Sequence, residues 1–472
     1  MLSESLQHWT FGLALGAFAC AGLSAFAARS VAAAPSTLAA NVVRAAETQD
    51  TAAPEPQNPA QGSNEAKTVQ TPQTRTENFH LSRERYEKAV AYSRAGYTLH
   101  FVSVAWEILV LLLLLNTKIV ARLRDFAEAR TSKWIVQGAI FVPLLFALLA
   151  VARLPIGIYW HSLSVRYEQS VQGWGSWFWD WTKGEIISVV IGFIAVAILF
   201  AVIRKKPKSW WFYFWLVSIP LVVFLVFIAP LVLDPVFNKF QPLRETNPQL
   251  VQSIEKLAQR AGEPIPPERI FLMEASAKTN QINAYVTGIG ASKRVVVWDN
   301  TIKKMAPDEV LFIVGHEMGH YVLGHVVKGI AFALAGIFVG VFLGYHILQW
   351  VLRRSGAKWG VRGQDDWAAL AVLLLIAGVL GFLGEPIGNG FSRRIEHAAD
   401  VYGLEVIHGI VPNPQQTAAQ SFQLMGDLDL ADPNPPGIIT IWLYSHPPLA
   451  ERLKFARDYD PWDEGKSPKY LK

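Results

Sequence analysis

The sequence has very little cysteine and little charge. Its 472 residues include a single cysteine, Cys20, which excludes an intrachain disulfide and a metal site built from cysteines. Charged residues account for 17% of the chain, whereas hydrophobic residues account for 51%. This balance indicates a membrane protein more than a water-soluble one.

Long apolar runs support the same interpretation. A helix needs roughly 20 apolar residues to cross a bilayer, and six runs meet this requirement. They lie at about residues 99–117, 134–158, 185–203, 210–233, 327–352 and 367–390. A soluble protein would not tolerate six such runs, so we expect a multi-pass integral membrane protein whose surroundings are a lipid bilayer.

The positive charge does not indicate a nucleic-acid partner. The net charge is +5, but the Lys and Arg residues form short clusters beside the apolar runs. Three of these clusters fall in the loops 118–133, 204–208 and 353–362, which share one side of the membrane if all six spans are real. The positive-inside rule assigns that side to the cytoplasm and the other soluble parts to the non-cytoplasmic face.

The N-terminal region has two open interpretations. Residues 11–28 are apolar and are followed by small residues before Pro35, as in a signal peptide, but residues 1–10 lack the usual Lys or Arg. Residues 1–34 are therefore either a cleaved signal peptide or a first transmembrane helix. Residues 35–80 are predicted to be a disordered linker, because 46–78 contain almost no large apolar side chain.

The chemical signal is the motif His316-Glu317-Met318-Gly319-His320. In a helix, residues four positions apart project from the same face, so His316 and His320 can bind one metal ion. Zinc accepts neutral imidazole ligands, and a hydrolytic zinc site keeps one position open for water. Glu317 would then act as general base toward that water. One zinc ion per chain is predicted.

A third ligand is required, and two candidates exist. His325 is the first, but in the longer motif of another zinc-protease class the third histidine would stand at Val326, so the spacing fails. His325 is better explained as a helix-end or interfacial histidine. Glu396 is the second candidate, with Asp400 one turn later as the acceptor of a ligand N–H. Taken alone, this segment also fits an ordinary charged surface helix.

Five separated motifs together resemble one family. They are His316–His320, the run Ser392 to Asp400, Asn283-Ala284-Tyr285, Ser445-His446-Pro447 and Phe237-Asn238-Lys239-Phe240. Together, and in their order along the chain, they are similar to the membrane zinc endopeptidases typified by the type I CAAX prenyl protease, over about residues 81–460. The resemblance implies that His316, His320 and Glu396 bind zinc, that Glu317 is catalytic and that Asp400 supports a ligand.

The resemblance also implies roles that spacing cannot show. Asn283 would lie on a strand that aligns the substrate backbone, and His446 and Arg452 would line the catalytic site and position substrate or transition state. The family further implies seven helices around a water-filled chamber, a number reached here only if residues 11–28 are retained. Its eukaryotic members place the catalytic site toward the cytosol, opposite to the prediction from loop charge. Glu107, inside the first span, would either line the chamber or pair structurally.

The predicted fold is a predominantly α-helical polytopic membrane protein, with six or seven transmembrane helices and a small α+β zinc metalloprotease domain. Its predicted parts are a four-helix membrane region, the zinc protease domain, two further membrane helices and a C-terminal part of the catalytic site, at residues 81–233, 234–326, 327–390 and 391–472 respectively.

The predicted function is zinc-dependent hydrolysis of peptide bonds in extended peptide or protein substrates, with His446 assisting at the oxyanion. Whether the substrates are prenylated stays open, and the alternative is a broader quality-control protease of membrane proteins. A transporter or scaffold with structural zinc is disfavoured, because structural sites are usually closed by four protein ligands.

Overall fold

The structure is a computed structural model, and it describes residues 81–471 apart from 228, 289 and 464. The predicted signal peptide or first transmembrane helix, Cys20 and the predicted linker therefore lie outside the described residues.

The N-terminal half of the described chain is helical. Its helices are α1 (Arg83–Asn116), α2 (Ile119–Arg130), α3 (Trp134–Arg166), α4 (Trp174–Lys205), α5 (Trp210–Phe227) and α6 (Ala229–Phe237). By length and composition, α1, α3, α4 and α5 can each cross a membrane. Large apolar side chains such as Leu109, Leu113 and Val151 are more than half exposed on these helices. An apolar surface of this kind suits lipid contact.

A small sheet follows the fourth span. Its strands are β1 (Phe240–Pro242), β2 (Ile270–Met273), β3 (Ala284–Thr287) and β4 (Arg294–Trp298), in the spatial order β1-β2-β4-β3. Strands β2 and β4 are parallel, and the outer pairs are antiparallel. Helices α7 (Pro248–Arg260), α8 (Asp299–Lys304) and α9 (Pro307–Val322) accompany the sheet. Strand β3 lies at one edge.

Helix α7 shows why this part forms a separate core. Leu250, Val251, Ile254, Leu257 and Ala258 are buried and recur at intervals of three and four residues, which places them on one helical face. They belong to the same apolar cluster as the inward side chains of β2, β3 and β4. The core of the catalytic domain is therefore distinct from the core between the membrane helices.

Two more candidate spans complete the membrane part. Helix α10 (His325–Val351) continues through a wider π-helical turn to Trp359, and α11 covers Ala369–Ile407. The described residues thus contain six candidate spans, one for each predicted apolar run, and the predicted fold class is confirmed. The chain ends with α12 (Pro414–Leu428), α13 (Gly437–Leu443) and α14 (Leu449–Asp458).

Helix α11 differs from the prediction in one respect. The predicted division after residue 390 separates the last span from the C-terminal part, but one continuous helix of 39 residues crosses this boundary. The sequence changes from apolar to polar along α11 because the helix leaves the membrane part. Its backbone stays helical throughout. One helix therefore carries Glu396 and Asp400 directly out of the membrane part into the catalytic domain.

The three basic loops meet at the end of the bundle away from the catalytic domain. Arg124 is paired with Asp366 and donates to the Gly360 carbonyl at 3.1 Å. Arg204 donates to the Asp365 carbonyl, also at 3.1 Å. The loops therefore share one side, as the sequence predicted, and we call this side the basic end.

Two pairs of ionisable residues lie inside the spans. Glu107 of α1 lies 3.1 Å from Arg153 of α3, and His100 of α1 lies 2.9 Å from Glu385 of α11. All four side chains are partly exposed. A paired arrangement lowers the cost of a carboxylate at membrane depth, so Glu107 has the structural partner that was one of its two predicted explanations.

Candidate active site

Glycines allow helices α9 and α11 to approach closely. A Cβ atom at Gly403 of α11 would lie 2.9 Å from the backbone nitrogen of His316, and one at Gly315 of α9 would lie 2.7 Å from a methyl group of Val406. Real Cβ atoms do not come this near to other heavy atoms. The absence of side chains at these positions therefore brings the His-Glu-x-x-His helix directly against the helix that carries Glu396.

The three predicted metal ligands converge. His316 Nε2 lies 3.2 Å from His320 Nε2 and 3.3 Å from Glu396 Oε2, while His320 Nε2 lies 3.6 Å from Glu396 Oε1. All three residues are buried, and one ligand atom from each lies within 4.8 Å of the others. Two imidazole nitrogens and a carboxylate oxygen fit zinc and leave a fourth position for water.

A carboxylate stands behind the first ligand. Asp400 Oδ1 lies 2.8 Å from His316 Nδ1, on the ring side away from the ligand cluster. Arg452 donates to both oxygens of Asp400, from Nε at 2.9 Å and from Nη2 at 2.6 Å. Asp400 and Arg452 are buried. The arrangement orients His316 with Nε2 toward the metal position, as carboxylates beside metal-binding histidines do.

Arg452 therefore lies behind Asp400, and its guanidinium also covers the Phe422 ring at 4.4 Å. A bidentate pair of this kind neutralises a carboxylate that would otherwise be buried without a counter-ion. The predicted contact of Arg452 with substrate stays a prediction.

The two ligand histidines have opposite pKa shifts in the metal-free protein. Burial alone would lower the pKa of His316, but Asp400 and Glu396 outweigh burial and raise it to about 9. Burial, with smaller contributions from the neighbouring histidines His316, His325 and His446, lowers the pKa of His320 to about 3 against the attraction of Glu396. His320 is therefore neutral and ready to bind a metal, whereas His316 must release a proton first.

His446 reaches the same cluster from the C-terminal part. Its Nε2 lies 2.8 Å from Glu396 Oε2, and its Nδ1 lies 3.0 Å from the Ser445 hydroxyl. A carboxylate accepts only, so its closeness favours the tautomer with the proton on Nε2, and Ser445 then donates to Nδ1. Nε2 of His446 therefore lies beside the ligand cluster. Glu317, next to His316, is buried in α9.

Residues that the sequence did not identify hold the His446 loop. Arg393 of α11 donates to the carbonyls of Thr440 and Tyr444, and the hydroxyl groups of Tyr97 in α1 and Tyr444 are 2.7 Å apart. Along the chain, Arg393 is about 50 residues and Tyr97 about 350 residues from Tyr444. Without the fold, no spacing rule connects them to His446.

Asn283 immediately precedes the edge strand β3. Its backbone N–H donates to the Thr301 hydroxyl at 2.7 Å, and its carbonyl accepts from Trp298 N at 3.0 Å. The side-chain Nδ2 is buried and has no hydrogen-bond partner among the described residues. An unused buried donor is costly unless a ligand supplies its acceptor. The structure thus places Asn283 as a donor beside the strand edge.

Comparisons with known proteins agree with this site. The family profile described as Peptidase family M48 matches residues 244–460, and the profile described as CAAX prenyl protease N-terminal, five membrane helices, matches residues 65–239. The uncharacterized metalloprotease YhfN of Bacillus subtilis is 35% identical over 376 residues, which cover 78% of this chain and 85% of that protein.

More distant relatives and a solved structure extend the match. A CAAX prenyl protease 1 homolog of Oryza sativa is 26% identical, with 80% of this chain and 89% of that protein covered. CAAX prenyl protease 1 of Saccharomyces cerevisiae is also 26% identical, with 69% and 73% covered. The crystal structure of S. mikatae Ste24p shares the fold, with a TM-score of 0.69, 24% identity and coverage of 80% of this chain and 90% of that one.

The long match to YhfN and the two profiles, which together span most of the chain, agree with the converging His-His-Glu cluster at the end of a membrane bundle. Metalloproteases of family M48 depend on zinc in general. The chain belongs to peptidase family M48 and is an integral-membrane metalloendopeptidase.

Proposed function

We propose that the protein binds one zinc ion through His316, His320 and Glu396 and hydrolyses peptide bonds of extended substrates. The observation that carries the proposal is the convergence of these three buried donors, with Asp400 and Arg452 fixing His316 from behind. When bound, zinc would supply a Lewis acid for the scissile carbonyl and for a water molecule.

The protein residues divide the proton transfers between them. Glu317 accepts a proton from the attacking water and returns it to the leaving nitrogen, as general base and then general acid. His446 donates its Nε2–H to the carbonyl oxygen as that oxygen gains negative charge. Asp400 keeps His316 in the orientation that binds through Nε2.

The substrate would pair with the free edge of β3. The carbonyl of Asn283 bonds inward to Trp298, and antiparallel pairing alternates inward and outward groups along the strand. The backbone N–H and C=O of Ala284 and Val286 therefore face the other edge. An extended peptide can add there as a further strand, with Nδ2 of Asn283 donating to one of its carbonyls.

The relatives named CAAX prenyl protease support prenylated proteins as the substrate class. A broader membrane-protein protease is a second candidate, and the basic end favours it. The basic loops lie opposite the catalytic domain, so the positive-inside rule favours an active site on the non-cytoplasmic face. Prenylated proteins of the cytosol would not reach that face.

The experiment uses a quenched peptide with a farnesylated CAAX end beside its unprenylated twin. Purified wild type is compared with Glu317→Gln, and the zinc content of both is measured. We expect wild type to cut and the zinc-loaded variant to be slower by at least about 100-fold, since it lacks the general base. Cleavage restricted to the prenylated peptide supports the first substrate class, and cleavage of both supports the second. No cleavage by zinc-loaded wild type would contradict the proposed activity on these peptides.

Sidedness needs a separate measurement. In a Cys20→Ser background, a thiol is introduced at Lys454 of α14 or at Lys358 of the basic end, both of which are exposed. A membrane-impermeant maleimide applied to intact cells is expected to label Lys454→Cys and to reach Lys358→Cys only after permeabilisation. The reverse pattern would place the active site on the cytoplasmic face.

A further inference from the structure

His325 is buried beside the second zinc ligand, although its spacing excludes it from the metal-binding motif. Its Nδ1 lies 3.2 Å from Nδ1 of His320, and its ring meets the His320 ring nearly edge-on, at 71°. The side chain is 4% exposed. Neither the distance nor the burial fits a solvent-facing histidine at the end of a helix.

A helix break produces this contact. Helix α9 ends at Val322, and Gly324 adopts a left-handed conformation with φ of 66° before His325 begins α10. Glycine adopts this conformation without the steric cost that a Cβ atom brings. The helix is therefore interrupted at Leu323 and Gly324, and the His325 ring lies against His320. A regular helix would have turned position 325 away from position 320.

The two ring nitrogens of His320 face different partners. Its Nε2 faces His316 and Glu396, so zinc would be bound through Nε2. A neutral imidazole bound through Nε2 carries its proton on Nδ1. That N–H points at Nδ1 of His325, which must therefore be unprotonated and accept the hydrogen bond, with its own proton on Nε2.

We propose that His325 is a positioning residue for zinc: it accepts the Nδ1–H of His320 and thereby fixes the ring that binds the metal. The inference rests on the proposed zinc site. On His316 the corresponding group is Asp400, whose Oδ1 lies 2.8 Å from Nδ1, so each of the two histidines has a neighbour at its Nδ1, a carboxylate for one and an imidazole for the other. Since His325 is also the first residue of the span α10, this hydrogen bond joins the start of that membrane helix to the proposed zinc ligand His320.

The test measures zinc affinity by chelator competition, without substrate, for wild type and three variants. His325→Asp and His325→Asn each place an oxygen acceptor near the position of Nδ1, whereas His325→Phe fills the space without an acceptor. We expect zinc affinity to fall by about 10–100-fold in His325→Phe, the usual effect of losing such a partner. His325→Asn retains most of the affinity, and His325→Asp binds at least as tightly as His325→Asn.

His346→Phe is the matched control. His346 lies on the same helix, about 30 Å along its axis, and contacts the rings of Phe342 and Tyr345. Its replacement is expected to leave zinc affinity unchanged. The visible bands of Co²⁺-substituted protein add a spectroscopic readout, because their energies report ligand geometry. They are expected to match wild type in His325→Asn and to shift in His325→Phe.

Two results would overturn the inference. One is zinc affinity of His325→Phe within twofold of wild type. The other is a folded His325→Phe protein that binds zinc as well as or better than the Asp and Asn variants, because affinity would then increase with the apolar character of residue 325. If His325→Phe does not fold, His325→Asn decides: loss of zinc binding in that folded variant also contradicts an acceptor role. A wild type that binds zinc in this pattern but cuts no peptide would refute the proposed activity and leave this inference intact.

Discussion

Each of the two ends of the molecule buries an Asp–Arg pair, and the two pairs differ in the other groups that they contact. At the basic end, Asp366 is paired with Arg124, and its oxygens also accept the backbone N–H of Arg362 at 2.8 Å and of Ala368 at 3.1 Å. Every partner of this carboxylate is a structural group of the loop or of α2. The pair fixes the loop to the bundle.

At the catalytic end, Asp400 is paired with Arg452, but one of its oxygens also faces the ring of His316. The ion pair is as buried as the one at the basic end. The comparison shows that burial and pairing do not distinguish a structural ion pair from a functional one. The distinction lies in the third group that the carboxylate contacts, which here is His316, a proposed zinc ligand.

The largest expected effect comes from removing each carboxylate in turn. Asp366→Asn removes the buried counter-ion of Arg124 and leaves only the mostly exposed Asp125, whose Oδ1 lies 2.8 Å from Nε. The free energy of unfolding should therefore fall by up to roughly 3–5 kcal/mol, while zinc affinity stays at the wild-type value. Asp400→Asn should lower zinc affinity by about 10–100-fold, in addition to destabilising the fold. Denaturant titration in detergent and chelator competition measure the two quantities.

The comparison would fail if Asp366→Asn weakened zinc binding as strongly as Asp400→Asn in folded protein. Both effects would then reflect general loss of structure. The double variant adds a check, because sites at opposite ends with no shared partner should have additive effects on stability.

A smaller effect is expected at two glycines that permit close packing. A Cβ at Gly138 would lie 2.5 Å from Cη2 of Trp367, whose ring stacks on Phe200 at the basic end. Gly138→Ala should cost about 1–3 kcal/mol of stability through overpacking, without changing zinc affinity. Gly403→Ala should displace His316 and weaken zinc binding by about 10-fold, since metal sites tolerate little misplacement of their ligands.

Gly381→Ala is the control for both glycine variants. It lies on α11, and a Cβ there would meet no atom within 4 Å. Thermal denaturation and zinc competition are expected to show wild-type values or a slight gain in stability. Wild-type zinc affinity in Gly403→Ala would mean that α9 and α11 can separate without moving the ligand.

The smallest expected effect is a proton released on zinc binding at the catalytic end. The pKa of His316 is raised to about 9 in the metal-free protein, above its ordinary value, so the proton is held at neutral pH and zinc must displace it. Apparent zinc affinity should therefore rise with pH and level off above about pH 9. In the metal-free protein, the raised pKa stabilises the fold below the ordinary pKa and loses this effect as pH rises toward 9.

Calorimetry in two buffers of different ionisation enthalpy measures the release, which should be about one proton per zinc at neutral pH. Asp400→Asn removes one cause of the raised pKa of His316, so this variant should release fewer protons when it binds zinc. The Asp366→Asn protein at the basic end should release as much as wild type. Equal release by all three would contradict the assignment of the proton to His316.

The membrane spans and the helix with two ligands were predictable from the sequence because both depend on local patterns. Twenty apolar residues are enough for a span, and the spacing of His316 and His320 places both on one helical face. The local sequence alone gave only weak support for Glu396 as a metal ligand, since the same segment fits a charged surface helix. The family resemblance identified it as the third ligand. The continuity of α11 through Arg393 was missed because a change of polarity was taken for the end of a helix.

By itself, the sequence determined that this is a membrane protein with a His-Glu-x-x-His helix, since apolar length and helical spacing are properties of neighbouring residues. Only the tertiary structure decided which distant groups meet. It brought Glu396 and Asp400 to His316, and it placed His446 beside Glu396 and Arg452 beside Asp400. It also placed His325 against His320 across a left-handed glycine. The physical reason is that such contacts depend on how closely helices pack and where a chain reverses, and neither is encoded in a spacing along the sequence.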